Sequence, residues 1–166
     1  MASAKQKRTL EAGSRAPEVP LHRMDSDATS LNRLRAGSSP VLLTFFKVSC
    51  PTCQYTLPFL ERVHKKVEPE QLAMYSISQD DAEATREFNA EFGIEMPALL
   101  DLEESQYPAS DAFGVTSVPS MFLVEPDGRI SWASVGFDKK DLLRLAARLG
   151  VEIFRPEDYV PEWKAG

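Results

Sequence analysis

The chain has 166 residues, 43% hydrophobic and 27% charged, enough for one globular domain with its own core. Its 19 Lys and Arg stand against 25 Asp and Glu, and a net charge of −6 argues against nucleic acid, whose phosphates need a basic face. Two cysteines are too few for a secreted disulfide scaffold.

Residues 1–15 are polar and are expected to be a flexible N-terminal segment. Basic residues occur there with no apolar run behind them, so no signal peptide is read. No stretch approaches the roughly 20 apolar residues of a membrane span. The expectation is a cytoplasmic protein without a membrane segment.

The stretch APEVPLHRM, 16–24, is Pro-flanked and reads as extended or edge strand. TSLNRLRAG, 29–37, offers one or two helical turns with Ser30 or Thr29 as cap and Gly37 as stop. PVLLTFF, 40–46, is a continuous run of strand formers, the pattern of a strand buried on both faces. After Pro51, Leu60, Val63 and Val67 recur at helical spacing, with Glu61, Arg62, Lys65 and Lys66 on the other side, which predicts a helix over about 51–67.

LAMYSIS, 72–78, reads as a strand. Asp80 and Glu83 resemble a capping box for a helix whose face carries Ala84, Phe88 and Phe92, and Gly93 stops it. A short strand at PALLD and a short helix ending at Gly114 follow. Residues 120–124 and 129–135 flank a Pro-Asp-Gly turn and predict a hairpin. Asp138 caps a last helix with the stripe Leu142, Leu145, Ala146 and Leu149, stopped by Gly150. Residues 16–150 form the expected domain, and 151–166 a C-terminal extension laid along the surface. The order β-α-β-α-β-α-β-β-α predicts an α/β fold with a central mixed sheet and helices on both faces.

Cys50 and Cys53 fall between the buried strand and the helix. Sites of open α/β sheets lie at the carboxyl ends of strands, and a helix N-terminus stabilises an anion. The thiolate is the nucleophile in disulfide exchange. Cys50 is therefore read as the exposed attacking sulfur and Cys53, one turn later, as the buried resolving one. Pro51 suits the first helical turn, where its missing N–H costs nothing. A structural zinc needs four ligands, so both Cys and both His would have to converge, but there is no second C-x-x-C, His64 lies about three helical turns beyond Cys53 and His22 sits in the early Pro-flanked stretch, so no metal is expected. A bridge between residues three apart closes a tiny loop and gains little as a structural staple.

A strand, C-x-x-C and a helix carrying Pro58, five residues after Cys53, are similar to the thioredoxin superfamily, in which a proline there kinks the active-site helix. FGVTSVPSMFLVEPDGRI, 113–130, resembles that superfamily's cis-proline segment, with Pro119 as the cis-proline. The opening GSRAPEVPL and the helix and strand inserted before the cis-proline are similar to the TlpA/ResA-like, AhpC/TSA-related branch. This resemblance spans about residues 12–150. It implies a thioredoxin-like fold, backbone pairing of a substrate with Val118 beside Pro119, and Pro51-Thr52 as the dipeptide that tunes the redox potential.

The chain departs from the pattern at several positions. Ser49 stands where thioredoxins have Trp, Thr44 where they have a buried Asp, and Thr56 where the ResA-like branch often has Glu. Lys47 and Glu95 are candidate modulators of the thiols. The implied function is thiol–disulfide exchange through a redox-active Cys50–Cys53 disulfide, without other cofactors. Its partners would be a disulfide-containing protein substrate and an upstream thiol reductant, not nucleic acid. A peroxiredoxin-like peroxidase is one alternative. It would need Thr or Ser where Lys47 stands and an arginine near the sulfur, for which Arg129 is the candidate. A redox-sensing binding module is the other.

Overall fold

The computed structural model describes residues 8–166. Its strands are β1 (Pro20–Arg23), β2 (Ala28–Ser30), β3 (Val41–Phe46), β4 (Ala73–Ser78), β5 (Ala98–Leu100), β6 (Ser120–Val124), β7 (Ile130–Val135), β8 (Phe137–Asp138) and β9 (Trp163–Lys164). Its helices are α1 (Leu31–Leu34), α2 (Pro51–His64), α3 (Ala82–Phe92), α4 (Pro108–Phe113) and α5 (Lys139–Leu149).

Seven strands form a mixed sheet in the order β2-β1-β5-β4-β3-β6-β7. β3, β4 and β5 are parallel, and β6, β7 and β1 add antiparallel pairs. The apolar run at β3 lies inside the sheet, between β4 and β6, and every residue in it is buried. Its alternation splits the core. Leu42 and Phe46 face a cluster built with α2, α3 and α5, while Val41, Leu43 and Phe45 face one that includes Leu31, Ala109 and Phe113.

Helix ends follow local chemistry. Ser30 accepts from Arg33 N–H to open α1, and Asp138 from Asp141 N–H to open α5. Gly93 closes α3 at φ 68°, where a side chain would be strained. α3 itself starts one residue later than the capping-box reading placed it. Asp81 is its cap, because Asp80 turns back to accept Val48 N–H at 2.8 Å. α2 ends at His64 rather than near 67, where the N–H groups of Lys66 and Val67 both turn onto the Val63 carbonyl.

The expected flexible segment 1–15 needs correction where it is described. Its residues 1–7 lie outside the described residues, but residues 9–14 are bonded to the domain. Thr9 Oγ1 donates to Gly114 O, Leu10 N to Phe113 O and Gly13 N to Ile130 O, while Ile130 N donates to Ser14 O. The reason is the open edge of β7, whose start this segment covers.

The C-terminal extension winds along α2. Ile153 is buried, and the Phe154 ring meets Phe59 and Phe137 at centroid distances of 5.1 and 6.1 Å. Asp158 pairs with Arg62 at 2.6 Å, and Tyr55 Oη donates to Tyr159 O. β9 then pairs with β8 as an antiparallel two-stranded ribbon.

Candidate active site

The two cysteines sit where β3 hands over to α2. Cys50 is the N-cap of α2, and its sulfur accepts the N–H of Cys53 at 3.1 Å. Pro51 occupies the first turn. An N-cap sulfur at this place faces the unpaired first-turn amides, the partners available to an anionic thiolate. Both cysteines are thiols here, Cys50 half-buried and Cys53 with no exposed surface. Burial, followed by the neighbouring Cys50 sulfur, pushes the Cys53 thiol well above the ordinary thiol range.

The Val118–Pro119 peptide bond is cis, and the Cys50 thiol donates to the Val118 carbonyl at 3.4 Å. The loop before β6 thus lies against the Cys50 sulfur. A cleft of about 470 Å³ opens beside them, with Lys47, Cys50, Gln79 and Val118 in its lining. Pro58 lies inside α2, which continues past it to His64.

The positions that depart from thioredoxin are occupied by hydroxyls. Thr44 is 1% exposed, and among the described residues its Oγ1 has no hydrogen-bond partner. Thr56 is fully buried and spends its hydroxyl on Thr52 O at 2.7 Å. No carboxylate hydrogen-bonds Cys53 among the described residues.

Glu95 does not fill that gap. Its carboxylate is 72% exposed and meets Lys65 Nζ at 3.8 Å, at the opposite end of α2. Lys65 lies 12 residues beyond Cys53, about 18 Å along a helix. The inserted segment is anchored there by Glu61, read from sequence as solvent-facing but only 4% exposed. Its carboxylate accepts Met96 N–H at 3.0 Å and faces His64 Nδ1 at 3.3 Å.

Lys47 lines the cleft with Cys50, but its ammonium lies 6.0 Å from the Tyr107 ring centroid. Arg129 is at the wrong end of the molecule for a peroxidatic arginine. It precedes β7 at the hairpin turn, whereas Val135, the last residue of that strand, pairs with Ser120 beside Pro119.

Sequence reasoning missed what covers the loop. Thr52 Oγ1 donates to Ala165 O at 2.5 Å, and Gly166 lies so close to Val118 that a Cβ there would strike the Val118 carbonyl. Residues 165 and 166 therefore lie against the dithiol loop. No periodicity marks residues 151–166, so only their scattered apolar residues hinted at docking.

Comparison with known proteins agrees with this architecture. Thiol-disulfide oxidoreductase ResA of Bacillus subtilis (strain 168) is 23% identical over 125 residues, 75% of this chain and 67% of ResA. ResA of Bacillus thuringiensis (strain Al Hakam) is 21% identical over 82% of this chain and 77% of its own. Among solved structures, the thioredoxin domain of a thiol-disulfide oxidoreductase from Bacteroides vulgatus superposes with a TM-score of 0.72 at 20% identity, covering 84% of this chain and 98% of that one. A putative thiol:disulfide interchange protein DsbE from Chlorobium tepidum gives 0.71 at 22% identity, over 84% and 96%. The fold is thioredoxin-like. Residues 12–133, which carry the dithiol, the inserted helix and strand and the cis-proline loop, match the AhpC/TSA family, and the chain belongs to that family.

Proposed function

We propose that this chain is a thiol–disulfide oxidoreductase whose Cys50 and Cys53 exchange disulfides with a protein or small-thiol substrate. The observation that carries the reading is the pairing of the Cys50 sulfur with the Cys53 N–H on the first turn of α2, beside Val118 and Pro119. The ResA relatives, named as thiol-disulfide oxidoreductases, support it.

In the reducing direction the Cys50 thiolate attacks one sulfur of the substrate disulfide. A Cys50–substrate bond forms, the substrate S–S bond breaks, and the released sulfur departs as a thiolate. Cys53 then loses its proton and attacks Cys50. The mixed disulfide breaks, the second substrate sulfur leaves as a thiolate, and Cys50–Cys53 is left as a disulfide. Two electrons have passed to the substrate, and an external thiol reductant restores the dithiol. The same steps reversed oxidise a dithiol substrate.

The second step is the demanding one, because burial holds the proton on Cys53. The Thr56 hydroxyl is committed to Thr52 O, and Glu95 is at the far end of α2. The departing substrate thiolate is then the base best placed to take that proton. Val118 and Pro119 position the substrate beside Cys50, and Pro51 and Thr52 shape the turn that presents the sulfur.

A peroxidase would need an arginine at the sulfur, and none is in the lining of the cleft beside Cys50. Insulin reduction by dithiothreitol, measured beside hydrogen peroxide consumption, separates the two chemistries. Catalysed insulin reduction that is lost in Cys50→Ser, with peroxide left unconsumed, is the expected result.

A further inference from the structure

The C-terminal extension is held unevenly. Its first half is anchored by the buried Ile153, by Phe154 against Phe59 and Phe137, and by the Arg62–Asp158 pair. Beyond Pro161 the anchoring thins. β9 pairs over two residues, and both are exposed. Lys139 N–H donates to Glu162 O, and the Lys139–Glu162 ion pair is solvent-facing, the kind that contributes little. Lys164 Nζ lies 4.7 Å from the Tyr55 ring centroid, and Trp163 is 60% exposed. This lightly held stretch reaches the dithiol.

Its position there is specific. The Ala165 carbonyl takes the Thr52 hydroxyl, from the dipeptide between the cysteines. The Gly166 backbone comes so close to the Val118 backbone that only a residue without Cβ can make the contact. A strand-like substrate would pair with that same Val118 backbone. Seated in this way, the segment leaves Cys50 open on the side of Lys47 and Gln79, through the 470 Å³ cleft.

We propose that residues 163–166 form a size-selective strap that occupies the substrate edge of Val118, so that small disulfides reach Cys50 directly and protein disulfides react only after displacing it. This rests on the exchange reading for its meaning, but the strap is a physical obstacle whatever Cys50 reacts with. Displacement is local. Residues 151–158 keep their anchors while residues 163–166 swing away, and the seated fraction sets how often a bulky partner finds Cys50 open.

The test uses the full chain in a Cys53→Ser background, so that a single thiol is read. Cys50 is alkylated with N-ethylmaleimide and, separately, with a maleimide carried on a polyethylene glycol chain. Gly166→Ala places a Cβ against the Val118 carbonyl, and Lys164→Pro cannot donate to the β8–β9 ladder. Lys164 lies in the exposed strand β9 and Gly166 just beyond it, and both are outside the buried core. The expected result is that the ratio of bulky to small reagent rates rises about fivefold or more in both variants. A ratio unchanged within about twofold in both overturns the strap, since a purely structural change would move both reagents alike. Alkylation needs no turnover. A rising ratio in a chain that never reduces insulin would leave the strap standing and remove the exchange reading, whereas an unchanged ratio in an active chain would do the reverse.

Discussion

The carboxylate of Glu61, on the helix that carries the dithiol, accepts the backbone N–H of Met96 at 3.0 Å from a position only 4% exposed. That bond docks the segment between α3 and β5 onto α2. Replacing Glu61 by Ala leaves a buried N–H unpaired and is expected to cost about 3 kcal/mol in urea unfolding. Glu61→Gln keeps an acceptor and should cost roughly half as much. Equal losses in the two variants would contradict this role.

Thr44 makes the opposite prediction. Its buried hydroxyl has no partner among the described residues, and Val has nearly the same shape. Thr44→Val is therefore expected to raise stability by about 1 kcal/mol, read as a higher urea midpoint at unchanged slope. A loss of stability would mean that the hydroxyl is satisfied in solution.

The raised proton affinity of Cys53 has a definite pH consequence. With its folded value above the unfolded one, the thiol favours the folded state below the ordinary thiol range of about 8.5, and that contribution is lost as the pH rises toward the folded value. In Cys50→Ser, alkylation of Cys53 by iodoacetamide should still be rising steeply with pH at about 10, where an ordinary thiol with a midpoint near about 8.5 has levelled off. A midpoint near about 8.5 would contradict the buried assignment.

Asp158 shifts the other way. The Arg62 guanidinium, followed by the Arg155 N–H, lowers its carboxyl to about 2. The tie between the extension and α2 is therefore present above the unfolded value of about 3.9 and is lost as the pH falls through the folded one. An NMR titration of the Asp158 carboxyl should show the low midpoint, and Arg62→Ala should move it up toward about 3.9. No movement would remove Arg62 as the cause.

The central architecture was legible because it rests on strong local signals. The fully apolar β3, the stripe of α5 and the glycine stops at 93, 114 and 150 each dictate one element. The dithiol was legible for the same reason, since C-x-x-C followed by a helix places both sulfurs by short-range geometry alone. Long-range matters were not. Glu61 looks like any charged residue on a helix surface until α3 and β5 bring Met96 over it. Glu95 looked free to approach Cys53, and only the packed insert shows it held at Lys65. The seating of Ala165 and Gly166 depends on Thr52 and Val118, residues far away in sequence, so no local pattern could announce it.

The most direct test of the central claim is to incubate reduced Cys53→Ser with oxidised insulin and weigh the product by mass spectrometry. The account predicts a stable adduct of one substrate chain, mapped to Cys50, released by dithiothreitol and absent in Cys50→Ser. No adduct in Cys53→Ser, or an equal adduct on Cys53 in Cys50→Ser, would contradict Cys50 as the attacking thiol.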